Sequence, residues 1–352
     1  MQALLGVIFH FIGGFASGSF YLPYKKVKGW SWESYWLAGG LFSWLIVPLV
    51  AAWLTVPGFM NIIHAAPTSV LGWTFLLGLL WGIGGLTFGL SMRYLGMSLG
   101  MSVALGFTSA FGSLVPPIYR DLFAPDSGVT FTQMLHSKGG VIVLIGVAVC
   151  LIGIGICGRA GMLKEKVLTP EEQKVGVKEF NLSKGLIVAT ISGILSACFN
   201  FGIEAGRSMA VVAEANGANP LFRNNVIFVV ILWGGLTTNV LWCIYLNLKN
   251  KSYRDYGNRS TPLAANYIFS ALAGTTWFLQ FFFYGMGESR LGNGASSWIL
   301  HMAFIILVSN CWGIALKEWK GVDRKTWTAI SLGIATIMLS VLLVGWGNSV
   351  GG

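Results

Sequence analysis

The chain has 352 residues, of which 55% are hydrophobic and only 10% charged, and its mean hydropathy is +0.69. Soluble domains carry roughly 25% charged residues, so this chain cannot cover a water-facing surface. The composition excludes a soluble globular protein, a disordered chain and a nucleic-acid binder, and the net charge of +10 reads as membrane-orientation charge.

A bilayer core of about 30 Å takes about 20 apolar residues in a helix. Apolar runs of that length are predicted at about 3–23, 35–56, 70–92, 97–119, 139–158, 185–205, 224–248, 265–287, 294–316 and 327–346. The first begins almost at Met1 without a basic n-region, which predicts a retained span rather than a cleaved signal. The longest polar stretch runs from Arg159 to Lys184. Within it, Thr169-Pro170-Glu171-Glu172 carries an N-cap, a proline at the first helical position and acids in the first turn, which predicts a short surface helix. Cys150, Cys157, Cys198, Cys243 and Cys311 each lie in an apolar run with no CxxC spacing, so neither a disulfide framework nor a metal site is expected. The expected fold class is an all-α integral membrane protein of about ten transmembrane helices.

Eighteen Lys and Arg fall in the odd-numbered gaps between these runs and five, namely Arg120, Lys138, Arg207, Arg223 and Arg290, in the even-numbered gaps. The positive-inside rule then puts the odd gaps in the cytoplasm and both termini outside.

An internal repeat runs through the spans. Gly14, Ser17 and Phe20 in the first match Gly193, Ser196 and Phe199 in the sixth as GxxSxxF. Trp81, Gly89 and Leu95-Gly96 match Trp277, Gly285 and Leu291-Gly292 at the same spacing. Five spans per copy is an odd number, so the second copy is expected to be inverted in the membrane. The organisation predicted is a first five-helix repeat at 1–158, a cytoplasmic connector at 159–184 and a second repeat at 185–352. Gly78, Gly82, Gly85 and Gly89 share one helical face, a pattern that lets helix backbones approach closely in lipid.

Polar side chains inside spans are costly and are functional candidates. His10 shares a face with Gly14, Ser17 and Tyr21. It reads either as a proton-responsive or sugar-bonding imidazole or as a structural histidine. His301, deep in the ninth span, carries the same two readings. Trp277, Gln280, Tyr284 and Glu288 recur at i, i+3, i+7 and i+11. That stripe of ring, amide, phenol and carboxylate is the mixture a sugar needs, with lipid-facing aromatics as the alternative. Gly193, Ser196, Asn200, Glu204 and Arg207 form a polar face on the sixth span. There Glu204 and Arg207 are spaced to pair at i, i+3, with a carboxylate proton site as the other reading. Glu33, close to Lys25, Lys26 and Lys28, is either a salt-bridge partner or a proton carrier at the cytoplasmic mouth.

Two motif matches carry no chemistry. Gly96-Met97-Ser98-Leu99-Gly100 fits GxSxG but lacks the strand and the acid and histidine of a nucleophile elbow. Gly153 to Gly158 fits GxGxxG but ends a hydrophobic helix without a βαβ unit. No P-loop or catalytic constellation is present, so an enzyme or an ATP-driven pump is not expected.

Longer blocks point to a family. Phe20-Tyr21-Leu22-Pro23-Tyr24-Lys25-Lys26-Val27-Lys28-Gly29-Trp30-Ser31-Trp32-Glu33 resembles the N-terminal signature of the bacterial L-rhamnose–proton symporters. Trp81-Gly82-Ile83-Gly84, Met92-Arg93-Tyr94-Leu95-Gly96-Met97-Ser98, Gly158-Arg159-Ala160-Gly161 and Glu179-Phe180-Asn181-Leu182 are similar to the same family. So are Leu279-Gln280-Phe281-Phe282-Phe283-Tyr284, Ser297-Trp298-Ile299-Leu300-His301-Met302 and Leu316-Lys317-Glu318-Trp319. The resemblance implies a drug/metabolite-transporter fold of ten helices, the bacterial inner membrane, and sugar uptake driven by a proton gradient. Its partners would be a small-molecule sugar, the proton and the lipid bilayer, with no cofactor, metal or nucleic acid.

The residues expected to bind sugar are Trp277, Gln280, Tyr284, His301, Asn200, Trp81 and Tyr21. Those expected to couple the proton are His10, His301, Glu33 and Glu204. A transporter of another sugar or metabolite, and a sugar-sensing membrane protein without transport, remain as alternative readings.

Overall fold

The computed structural model describes residues 2–123, 130–169, 177, 179–291 and 294–350, and among them all regular structure is helical. The helices are α1 (Gln2–Ser19), α2 (Tyr21–Tyr24), α3 (Trp32–Leu41), α4 (Val47–Thr55), α5 (Phe59–Ala65), α6 (Thr68–Phe123), α7 (Phe131–His136) and α8 (Lys138–Val167). They continue with α9 (Leu182–Ser196), α10 (Cys198–Ala205), α11 (Arg207–Ala215), α12 (Asn225–Asn250), α13 (Leu263–Leu291), α14 (Gly294–Ala315) and α15 (Arg324–Val350). A π-helical turn at Phe42–Ile46 joins α3 to α4, and a 3₁₀ turn at Ser252–Gly257 follows α12.

Seven helical segments among the described residues are long and apolar enough to cross a membrane, and Leu300–Ala315 is a shorter apolar helix. The ten predicted runs all fall on helices. Besides that shorter helix, the lower figure has two physical reasons. First, α6 is continuous by hydrogen bonding over 56 residues. At 1.5 Å per residue that is about 84 Å, far more than one bilayer crossing. It is broken at Gly96, whose φ of 84° and ψ of 175° are non-helical and lie in a region that is essentially glycine-only. Second, α13 carries Asn266, Ser270, Gln280 and Glu288, which lower its hydropathy. Large apolar side chains such as Trp53, Leu54, Trp73, Ile152 and Ile187 stand exposed along the helices, as a lipid-solvated surface requires and a water-solvated one does not. The predicted surface helix at Pro170, Glu171 and Glu172 lies outside the described residues. The fifth span, expected to end near 158, continues helically to Val167.

The chain divides into two compact units, one of Met1–Ile83 with Cys198–Arg290 and one of Gly84–Ala197 with Leu291–Gly352. Each draws on both halves of the sequence.

In the first unit, α12 is held by short polar and backbone contacts. Trp36 Nε1 donates to Asn239 Oδ1 at 2.9 Å, and Asn239 Nδ2 donates to the carbonyls of Gly235 at 2.8 Å and Gly82 at 3.2 Å. Two of the predicted packing glycines meet α12: a Cβ at Gly78 would lie 2.1 Å from the Ile231 carbonyl oxygen, and one at Gly82 would lie 2.8 Å from Gly235 Cα. The same face does not continue as expected, because a Cβ at Gly85 would meet no described atom within 4 Å.

In the second unit, α8 and α15 run together through small residues. A Cβ at Gly153 would lie 2.9 Å from the Ile337 nitrogen, and one at Gly333 would lie 2.6 Å from Cys157 Sγ. Cys150 and Cys157 are free and buried at this level, so they fill space as small core residues. The break at Gly96 is stabilised from a distance in sequence. The Glu318 carboxylate accepts from the backbone N–H of Met97 at 2.9 Å and of Ser98 at 3.1 Å, so it caps the helix that restarts there. Lys164, expected in a loop, is instead buried. Its Nζ donates to the Glu318 carbonyl at 2.7 Å and sits over the rings of Phe180 and Trp319. Ser98 Oγ bonds to Asn310 Oδ1, and Asn310 Nδ2 donates to Ser102 Oγ at 2.9 Å, which continues the polar seam from the cap.

Candidate functional site

The stripe on α13 faces protein. Trp277, Gln280, Tyr284 and Glu288 are all buried, so these aromatics do not face lipid. Trp277 lies 4.2 Å, centroid to centroid, from Phe20 and 6.1 Å from Phe281. Trp81 extends the same cluster at 5.7 Å from Phe281 and 5.1 Å from Phe199. Gln280 is 4% exposed, and its Nε2 has no hydrogen-bond partner among the described residues. A buried amide donor without an acceptor costs about 1–3 kcal/mol, which marks it as a group able to bind a polar ligand.

His10 on α1 is fully buried and reaches this helix. Its ring lies 5.6 Å from the Tyr284 ring, and a Cβ at Gly287 would come within 2.5 Å of its Nε2. Gly287 therefore leaves the room that His10 occupies. One residue on, the Glu288 carboxylate accepts from Asn224 Nδ2.

The other expected residues are placed as follows. Tyr21 is half-buried and packs edge-on against Phe20 and Tyr24 at 5.8 Å each. Asn200 is half-buried on α10. Glu204 is exposed and forms a bidentate pair with Arg207, at 2.6 Å and 3.0 Å, a pairing that holds the Arg207 pKa above its usual value. Glu33 is buried and accepts from Ser252 Oγ at 2.6 Å and Asn250 Nδ2 at 2.9 Å, so it ties α3 to the end of α12. All of these belong to the first unit, whereas His301, also buried, belongs to the second.

Sequence reasoning missed a group beside Trp277. Phe20, Tyr24, Trp36, Ser43 and Trp44 line a narrow cavity with it. Ser43 and Trp44 lie in the π-helical turn, and Ser43 Oγ and Trp44 Nε1 are buried without hydrogen-bond partners among the described residues. Single π-helical turns inside α-helices are frequent at functional sites. The apolar run at 41–47 gives no sign of one; the only available signal was the density of aromatic residues.

These features define a multi-pass α-helical membrane protein with an aromatic and polar pocket wall inside the helices. A model of the L-rhamnose-proton symport protein (RhaT) family matches residues 1–350. The chain is 39% identical over 349 residues to an L-rhamnose-proton symporter of Yersinia pestis, with 98% of each chain covered. It is 39% identical to one of Klebsiella pneumoniae and 40% identical to one of Salmonella gallinarum, each over 350 residues and 97% of both chains. The chain belongs to the L-rhamnose-proton symport protein family, a family of transporters and not of enzymes.

Proposed function

We propose that this protein imports L-rhamnose together with protons by alternating access across the bacterial inner membrane. The observation that carries the reading is the family match from residue 1 to residue 350, together with relatives of that name at about 40% identity over nearly the whole chain. The chemistry of the first unit supports it. A 6-deoxy sugar presents a methyl group and an apolar ring face beside several hydroxyls. Trp277, Tyr284 and the rings around Phe20 offer the apolar surface, and Gln280 Nε2, Ser43 Oγ and Trp44 Nε1 offer unsatisfied polar groups for the hydroxyls. Trp81, Asn200, Tyr21 and His301 complete the proposed binding set, and His10, His301, Glu33 and Glu204 are the titratable groups considered for proton coupling.

The proposed topology is ten spans in a five-plus-five inverted repeat with both termini outside. The break at Gly96 supports counting α6 as two spans, residues 68–95 and 97–123. The excess of Lys and Arg in alternate gaps supports the orientation.

The reading is tested by uptake of radiolabelled L-rhamnose into proteoliposomes with and without an inward proton gradient, against a panel of competing sugars. Accumulation that requires the gradient and is competed best by 6-deoxy sugars is expected. Accumulation independent of the gradient contradicts proton coupling, and stronger competition by another sugar reassigns the substrate.

A further inference from the structure

A second cavity of about 60 Å³ lies in the first unit, lined by Arg207, Arg223, Asn224 and Glu288 among others. That volume has room for a few water molecules. Each of its four polar residues has a partner. Arg207 pairs with Glu204, and Arg223 Nη1 donates to Glu214 Oε2 at 2.8 Å. Asn224 donates to Glu288. Glu288 is therefore a buried carboxyl group on a water-sized cavity, held by a neutral amide, while the two guanidinium groups of that cavity each bond another acid.

We infer that the Glu288 carboxyl group carries the co-transported proton. In the outward-open chain the carboxylate binds a proton from the cavity water, forming an O–H bond and a neutral acid. After access changes, that bond breaks and the proton leaves to water on the cytoplasmic side, which regenerates the carboxylate. The inference rests on the transport reading above and names the group that couples it.

Geometry links this site to the sugar groups. Glu288, Tyr284 and Gln280 stand at i, i−4 and i−8 on α13, so one helical face carries both over about 12 Å. His10 packs on Tyr284 and against Gly287, between the two. By linkage, a sugar bound at Gln280 that favours the protonated form must be bound more tightly when Glu288 is protonated. The charged and titratable groups around Glu288 are Glu204 on α10, Arg207 and Glu214 on α11 and Arg223 beyond it. His10 on α1 packs on Tyr284 and beside Gly287, and Tyr284 and Arg290 lie on the same helix as Glu288. Glu204 and Glu33 make poorer carriers here, because the first is an exposed ion pair and the second a hydrogen-bonded tie between helices.

The test compares wild type, Glu288→Gln and Asn224→Ala in proteoliposomes with L-rhamnose. Gradient-driven accumulation needs proton release, whereas counterflow exchange of sugar across the membrane does not. Glu288→Gln, fixed in a neutral form, is expected to lose at least tenfold in accumulation while keeping counterflow within about threefold. Accumulation equal to wild type overturns the inference. If Glu288→Gln is inactive in both modes, Asn224→Ala decides. Loss of the amide donor should move the pH of half-maximal uptake upward by about one unit, about 1.4 kcal/mol, and an unchanged pH profile overturns the inference. If wild type accumulates no rhamnose, the transport reading fails first and the inference falls with it. Wild-type accumulation together with normal accumulation by Glu288→Gln removes the inference alone.

Discussion

Removal of the Glu318 side chain tests how the break at Gly96 is held. The carboxylate accepts two backbone N–H groups, those of Met97 and Ser98, at 2.9 and 3.1 Å in a buried setting. Hydrogen bonds to a charged group contribute about 1.5–3 kcal/mol each, and buried donors left unpaired lose their desolvation energy. Glu318→Ala should thus cost about 3–5 kcal/mol, with water entering the gap bringing it toward the lower figure. Glu318→Gln keeps one oxygen acceptor and should cost about half as much. Gly96→Ala approaches the same contact from the other side. Its Cβ would lie 2.7 Å from Glu318 Oε2, at a φ of +84° that alanine rarely adopts, which adds about 1–3 kcal/mol of strain. Thermal unfolding of the detergent-solubilised protein, followed by tryptophan fluorescence, ranks the variants. The expected order of stability is wild type, then Glu318→Gln, then Glu318→Ala. A Glu318→Ala protein within about 0.5 kcal/mol of wild type would show that the two N–H groups are satisfied without the carboxylate, and the capping argument would be wrong.

Four further outcomes are expected. Trp277→Ala and Gln280→Ala should each weaken L-rhamnose binding at least tenfold, about 1.4 kcal/mol, in a titration of intrinsic fluorescence or by calorimetry; unchanged affinity for both removes them from the site. Gly82→Leu should abolish folded protein in the membrane because its Cβ begins 2.8 Å from Gly235 Cα, whereas Gly85→Ala should express as wild type; equal yields contradict the packing account. Lys164→Met keeps the apolar stem over Phe180 and Trp319 but loses the bond to the Glu318 carbonyl, and should lower stability by about 1 kcal/mol; a rise in Tm contradicts it. At the start of α15 the Asp323 carboxylate accepts from the Thr326 N–H at 2.8 Å, and hydrogen bonds from Thr326 hold its pKa below the usual aspartate value. This cap is present above the ordinary aspartate pKa and is lost as pH falls through the lowered one. Exchange at the Thr326 amide should therefore quicken only in acid once intrinsic rates are divided out, and a change near neutral pH would contradict the assignment.

The helices and the inward stripe of α13 were legible because both are local: apolar runs of about 20 residues and a recurrence at i, i+3, i+7 and i+11 need no knowledge of distant contacts. The break between the third and fourth spans was legible as a gap, but not as a single glycine with no loop. The cap that makes it possible comes from Glu318, more than two hundred residues away. Lys164 misled for the same reason. A lysine beyond an apolar run reads as a loop cation, and only the fold brings the Glu318 carbonyl and the rings of Phe180 and Trp319 to it. Ser43 and Trp44 were hidden because a π-helical turn leaves no periodic signature in a uniformly apolar run. Glu288 was read only as part of the sugar stripe; its cavity is assembled from Arg207, Arg223 and Asn224 on other elements.

Proton coupling is tested most directly by following proton and sugar entry together. Proteoliposomes loaded with a pH-sensitive dye, with no imposed gradient, receive external L-rhamnose while labelled sugar entry is measured in parallel. The account predicts acidification of the lumen in step with rhamnose entry, abolished by a protonophore. Rhamnose entry at the full rate with no change in lumenal pH would contradict it.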